Sequence, residues 1–279
     1  MRQKPTNETA GLRPEDDGQP PYLYPDYVAT RLRAPKKPLL ILPRTLSDTT
    51  GPAYGRGPIG ELNNDLTHQH AGEPLGERII VTGRVLDGDG RPVRSSLIEI
   101  WQANAAGRYT HHLDRHPAPL DPNFSGAGRC LTDNEGPYRF VTVKPGAYPW
   151  KNHHNAWRPA HIHFSLFGAS FRSRLITQMY FPGDPLFKQD PIFQSVRYRE
   201  AQKRMIATFD LENDGAGMGF GLQVRHRARR ERRYADGGPQ MMPEPGIGPT
   251  PSQTVGPFFH DALLDGTARS WSRRITPRR

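Results

Sequence analysis

From Glu77 onward, apolar and polar positions alternate in short runs, the period-two signature of strands with one buried face. Ile79-Ile80-Val81 leads to Val85-Leu86, Asp87-Gly88-Asp89-Gly90 supplies a turn, and Ser96-Leu97-Ile98-Glu99-Ile100-Trp101 follows. An Asp-Gly turn between two such runs predicts a β-hairpin. Further strands are predicted around Tyr138-Arg139-Phe140-Val141, from His161 to Phe167 and over residues 175–181. Their spacing predicts an all-β fold, a β-sandwich with its chemistry on loops and strand ends. Residues 1–75 are rich in Pro, Gly and polar residues and hold one apolar run, Leu39-Leu40-Ile41-Leu42, between Pro38 and Pro43. They read as an extended N-terminal arm that wraps a core or a partner, and residues 76–213 read as the sandwich.

Composition narrows this picture. The 29 prolines and 28 glycines among 279 residues favour short strands joined by many turns over long helices. A single cysteine, Cys130, excludes an internal disulfide and suits a reducing cytoplasm, with the thiol acting as a small buried hydrophobe. The first residues lack the apolar stretch of a secretory signal, and no run approaches the ~18 apolar residues of a membrane span. A cytoplasmic, soluble protein with no membrane partner is expected.

The chemistry concentrates in Trp157-Arg158-Pro159-Ala160-His161-Ile162-His163-Phe164. Two histidines two residues apart on a strand project from one face, which makes half of a metal site. Tyr109 and Tyr148 suggest the other half. A phenol ionises at neutral pH only beside a strong positive charge such as a metal. Two neutral nitrogens with two phenolate oxygens suit trivalent iron, whereas zinc prefers His, Cys and carboxylate, which disfavours metallohydrolysis. Against this stand ordinary roles: a hydrogen-bonded histidine pair and two core tyrosines with satisfied hydroxyls. Arg158 beside the pair could stabilise developing negative charge or form a structural ion pair.

Taken in order, Trp101-Gln102-Ala103-Asn104, Pro119-Leu120-Asp121-Pro122-Asn123-Phe124, Gly128-Arg129-Cys130-Leu131-Thr132-Asp133, residues 145–150 and residues 157–164 resemble the β chains of the protocatechuate-cleaving branch of the intradiol ring-cleavage dioxygenase family. The likeness runs from about Pro25 to Asn213. It implies non-haem Fe(III) held by Tyr109, Tyr148, His161 and His163, with Tyr148 and His163 axial and Tyr109 and His161 equatorial. It also implies catalytic roles for Arg158, Tyr148 and Gln178, the tyrosine leaving the iron as a catecholate binds. By the same resemblance Tyr27 contacts a substrate carboxylate, Trp150 walls the pocket and Ile192 contacts the ring; core packing is the plainer role for each. The implied activity is cleavage of protocatechuate with O2 to 3-carboxy-cis,cis-muconate, in the β-ketoadipate route of aromatic catabolism, as an αβ hetero-oligomer with a separate α chain. Cleavage of catechol or hydroxyquinol is the neighbouring reading, and a non-catalytic structural sandwich subunit is a third.

The resemblance breaks after Asn213. Codons for residues 215–229, read one base later, can spell an alternating apolar strand of the type the family has there, so residues 214–240 read as out of frame. Residues 241–269, with Thr250-Pro251-Ser252-Gln253-Thr254-Val255-Gly256-Pro257, resemble the start of an α chain, and residues 270–279 read as out of frame again. Such a slip would leave one sheet short of a strand, with an exposed edge; resequencing the gene tests it, and one clean uninterrupted frame is the contrary result. The net charge of +10 changes meaning accordingly, since residues 215–279 hold 11 Arg against 5 acidic residues. The cluster Arg225, Arg227, Arg229, Arg230, Arg232 and Arg233 would ordinarily suggest nucleic acid, but a solvated, disordered tail with no nucleic-acid partner is the expectation.

Overall fold

Among the described residues ten strands form: β1 (Arg78–Leu86), β2 (Leu97–Trp101), β3 (Ala127–Leu131), β4 (Pro137–Val143), β5 (Tyr148–Pro149), β6 (Trp157–Arg158), β7 (His161–Phe167), β8 (Arg174–Tyr180), β9 (Thr208–Asp210) and β10 (Phe220–Arg227). Among the described residues helix is limited to single turns, α1 (Thr30–Arg33), α2 (Pro191–Gln194) and α3 (Arg199–Lys203), with a 3-10 turn at Pro185–Lys188. The computed structural model describes residues 19–38, 63–86, 90–152, 154–167, 174–210, 220–227 and 251.

Two four-stranded sheets carry the core, one ordered β4-β1-β10-β9 and the other β3-β2-β7-β8, with β5 and β6 as a small separate ribbon. Inward residues of both, including Val81, Phe140, Ile100, Ile162 and Phe164, form one buried cluster. Each such side chain taken fully out of water contributes about 1.5–3 kcal/mol, so this shared layer is what fixes the two sheets face to face. Cys130 lies in that cluster, and burial pushes its thiol up to about 12, which leaves it inert.

The hairpin predicted between residues 79–86 and 96–101 does not form. β1 pairs with β4 and β10, whereas β2 pairs with β3 and β7 in the other sheet. A single antiparallel bridge joins Leu86 to Pro92, and the Val93 N–H donates back to the Val85 carbonyl at 3.0 Å. Pro92 has no N–H with which to extend a ladder. The chain then turns through Ser95, at φ 51°, and the Ser96 N–H donates to Thr132 Oγ1 at 2.8 Å, on the β3 side.

Two further expectations change. The stretch 63–75, read as arm, reaches the core at one point: Leu66 is fully buried in the main cluster, and its N–H donates to the Val141 carbonyl at 2.8 Å. The bare sheet edge expected after Asn213 is also paired, because β10 runs parallel to β1 from Ile79↔Phe220 to Leu86↔Arg227 and antiparallel to β9. Phe220, Leu222 and Val224 alternate with Gly221, Gln223 and Arg225, a period-two pattern sufficient for a strand. Most of residues 214–279, including Arg229 to Arg233 and nearly all of the α-like stretch, lie outside the described residues. Pro251 is the exception: it is buried, and its carbonyl accepts a hydrogen bond from Thr177 Oγ1 at 2.9 Å. Among the described residues no helix is long and apolar enough to cross a membrane.

Candidate metal centre

β7 is central in its sheet, and its register sets the site. His163 pairs with Trp101 of β2 on one side and Gln178 of β8 on the other, while His161 pairs with Tyr180. The period of two puts both imidazoles on one face, and their Nε2 atoms stand 3.2 Å apart in a fully buried position. The Trp101 ring stacks on His163 at 4.7 Å and 8°, which fixes that ring's plane. His161 Nδ1 lies 2.7 Å from the Pro159 carbonyl, so Nδ1 is the protonated nitrogen and Nε2 presents its lone pair to the centre.

The tyrosines arrive from loops. Tyr148 lies on β5 opposite Arg158 of β6, and its Oη stands 3.4 Å from His161 Nε2. Tyr109 follows β2 in a loop folded around Asn104, whose Oδ1 accepts from the N–H groups of Ala106 (3.0 Å) and Arg108 (2.9 Å). Asp114 Oδ2 accepts the Tyr109 N–H at 2.8 Å, and the rings of Tyr109 and Tyr148 meet edge-on at 5.4 Å. Two glycines allow this approach. A Cβ on Gly107, whose φ is +79°, would stand 2.2 Å from the Ala147 carbonyl oxygen, and one on Gly146 would stand 2.5 Å from the Ala105 carbonyl oxygen. Gly107→Ala is therefore expected to push the two tyrosine loops apart and to cost about 1–3 kcal/mol from strain and clash combined. Urea unfolding checks it, and an unchanged midpoint would contradict the close packing.

Without a metal the four donors are uncharged. Burial, then Arg158, holds both histidines well below the ordinary imidazole range, so both are neutral donors. Burial raises the phenol of Tyr148 although Arg158 opposes it, and burial, then Tyr148, raises Tyr109 well above the ordinary range. A multivalent cation among them reverses the phenol shifts and stabilises two phenolates. Cis donors about 2.1 Å from one ion stand ~3 Å apart, close to the Nε2–Nε2 and Oη–Nε2 separations here. His163 Nδ1 is buried without a hydrogen-bond partner among the described residues. The donor set of Tyr109, Tyr148, His161 and His163 thus fits a hard, highly charged metal such as ferric iron.

Arg158 is the counterpart of this centre. It is buried, and Nη1 points at His161 Nε2 (3.0 Å) and Tyr148 Oη (3.5 Å). Its Nη2 donates to Gln178 Oε1 (2.7 Å), Tyr180 Oη (3.1 Å) and Asp190 Oδ2 (2.9 Å). Burial works against its charge, but Asp190, Tyr148 and Tyr180 together hold its pKa well above the usual guanidinium range. Arg158 was open between a catalytic role and a structural ion pair; the geometry shows it in an ion pair and facing the donors at once.

A cavity of about 590 Å³ opens onto the centre. Tyr109, Tyr148 and His163 form its floor with Arg158 and Gln178, and His161 sits one layer behind, against Tyr148 and His163. Tyr27, Trp150 and Ile192 form the walls, with Tyr27 edge-on to Trp150 at 5.4 Å. The nine candidate site residues, Tyr27, Tyr109, Tyr148, Trp150, Arg158, His161, His163, Gln178 and Ile192, are therefore at or beside this cavity. The sequence reading missed Tyr180, Asp190 and the stacked Trp101. Tyr180 was accessible from alternation, being two residues after Gln178 on the same strand face. Asp190 carries no such signal, since Asp-Pro reads only as a helix cap.

The profile described as "Dioxygenase" matches residues 49–228, and that of the "Protocatechuate 3,4-dioxygenase beta subunit N terminal" region matches residues 12–45. The protocatechuate 3,4-dioxygenase β chain of Burkholderia cepacia is 56% identical over 223 residues, covering 78% of this chain and 94% of that one. The protocatechuate 3,4-dioxygenase α chain of Pseudomonas putida is 30% identical over 61% of this chain and 86% of its own length. Hydroxyquinol 1,2-dioxygenase of Rhizobium sp. is 34% identical over 42% of each chain. On the profile match and the extent of the β-chain similarity, the chain belongs to the intradiol dioxygenase family of oxygenases.

Proposed function

We propose that this chain is the iron-bearing β subunit of an enzyme that opens the ring of protocatechuate between its two hydroxyl-bearing carbons, giving 3-carboxy-cis,cis-muconate with both atoms of O2 in the product. The observation that carries the reading is the convergence of Tyr109, Tyr148 and His163 at the floor of a cavity walled by Tyr27, with His161 directly behind them, in a chain 56% identical to a protocatechuate 3,4-dioxygenase β chain. An α chain is the proposed partner, in line with similarity to both chain types of that enzyme.

Those four residues would hold ferric iron, which when bound supplies the Lewis acidity and redox capacity that let a catecholate react with dioxygen. The chain's residues do the rest. Tyr148 Oη, as a phenolate, accepts a proton from an incoming catechol hydroxyl; Arg158 beside it faces both the released phenol and the substrate oxygens. Held by Asp190, Gln178 and Tyr180, the guanidinium is already oriented toward negative charge that develops on the substrate. Trp150 and Ile192 flank the ring and exclude water. Tyr27 Oη donates to the substrate carboxylate.

The test is oxygen uptake by the iron-loaded chain with its α partner, with products identified by NMR. A hydrogen bond to a charged group is worth about 1.5–3 kcal/mol, so kcat/KM for protocatechuate is expected to exceed that for catechol by roughly ten- to a hundredfold. Preference for catechol or hydroxyquinol, or a product cleaved outside the diol, would overturn the reading.

A further inference from the structure

We propose that Asn152, which lies outside the cavity wall, is a specificity-determining positioning residue: it fixes Tyr27 in the cavity and thereby sets the preference for carboxylated over plain catechols. The proposal rests on the substrate reading above and adds a residue to it.

Tyr27 belongs to a segment far from the sandwich in sequence, and its ring must be anchored to act on a substrate. One side chain reaches the backbone on both sides of Tyr27. Asn152 Oδ1 accepts the Val28 N–H at 2.8 Å, and Asn152 Nδ2 donates to the Asp26 carbonyl at 2.7 Å. A primary amide is matched to this task, since it offers one acceptor and one donor side by side, as a neighbouring strand would. The two bonds bracket residue 27 on both sides, so they fix the height and rotation of its backbone against the cavity.

The arm is pre-shaped for this clasp. Thr30 Oγ1 donates within reach of the carbonyls of Tyr24 (2.7 Å) and Tyr27 (2.8 Å) and accepts the Tyr24 N–H at 3.0 Å, which laces residues 24–30 into one turn. The Arg33 guanidinium lies 4.8 Å from the Tyr27 ring centroid, on the ring's face. On the other side, the Trp150 N–H donates to the Ala156 carbonyl at 2.8 Å and closes the loop that carries Asn152. One loop thus presents Trp150 to the edge of Tyr27 and Asn152 to its backbone. Any slackening of the clasp moves the Tyr27 hydroxyl relative to the metal donors, which are held independently on β7, β5 and the Tyr109 loop.

The experiment compares the full chain, Asn152→Ala and Tyr27→Phe, each iron-loaded with the α partner, on protocatechuate and on catechol. Loss of two hydrogen bonds that set one geometry is expected to lower the protocatechuate-to-catechol ratio of kcat/KM about tenfold in Asn152→Ala, chiefly through KM for protocatechuate. Amide hydrogen exchange over residues 24–33 is expected to accelerate in the same variant. If Tyr27→Phe collapses the ratio while Asn152→Ala leaves it unchanged, or lowers both substrates in equal proportion, Asn152 is only structural and the proposal is overturned. If Tyr27→Phe leaves the ratio unchanged, the role of Tyr27 in the substrate reading fails, and the proposal falls with it.

Discussion

His163→Ala is expected to yield a folded chain that holds little iron and has lost more than about 100-fold in kcat/KM. Replacing residues that merely orient metal ligands typically costs 10–100-fold, so removal of a donor exceeds that range. In the proposed donor set His163 Nε2 stands at the cavity floor, 3.2 Å from His161 Nε2, and its loss would leave three donors for the iron. The ring is also half of the stack with Trp101, so its removal leaves a hole shaped like imidazole. Added imidazole is therefore expected to restore part of the iron and part of the activity. Elemental analysis and the visible tyrosinate-to-iron band read the first; oxygen uptake reads the second. A variant with full iron and wild-type turnover would remove His163 from the donor set.

This site was legible in the sequence to the extent that it obeys alternation. His161 and His163 share a face because strands have a period of two, and Gln178 and Tyr180 share the facing side of β8 for the same reason. Tyr109 and Tyr148 became ligand candidates through chemistry and family resemblance, because loops have no period to read. Their meeting depends on Gly107 and Gly146, whose backbones lie against other backbone, a property set by tertiary approach. The fold divides along the same line. Strands β4, β7 and β8 follow from local pattern, but β1 and β2, which join different sheets, are separated by a sequence that reads locally as a hairpin turn. Leu66 likewise sits in a polar stretch whose composition says arm, yet its burial is decided by β1, β4 and Gly128. The strand at Phe220–Arg227 was harder to read: the motif-by-motif resemblance stops near Asn213, yet the family profile runs on to residue 228, and pairing with β1 needs only alternation and reach.

Asp190→Asn is expected to cost about 3–5 kcal/mol of stability, because it leaves the Arg158 charge buried without its carboxylate. For a chain of this size that is a fall of roughly 10 °C in Tm. Arg158 is 2% exposed and Asp190 0%, and no solvent can replace the lost partner. Capping does not confound the result. Asp190 also accepts the Ile192 N–H at 3.1 Å as the cap of α2, but asparagine caps as well as aspartate. Asp184 supplies the control. It too precedes a proline and caps a turn, accepting the Leu186 N–H at 2.9 Å and, on its other oxygen, the Ala160 N–H at 3.2 Å, and its side-chain partners among the described residues are these backbone N–H groups and no guanidinium. Asp184→Asn is expected to stay within about 1 kcal/mol of the parent. In Asp190→Asn the guanidinium is also freed from the fixed direction in which it faces Tyr148 and His161, so kcat should fall further than the loss of folded protein explains. Urea unfolding of both variants, with kcat normalised to bound iron, reads the two effects separately. Equal stability of the two would mean that Gln178 and Tyr180 suffice to hold Arg158, and that the buried carboxylate serves only as a helix cap.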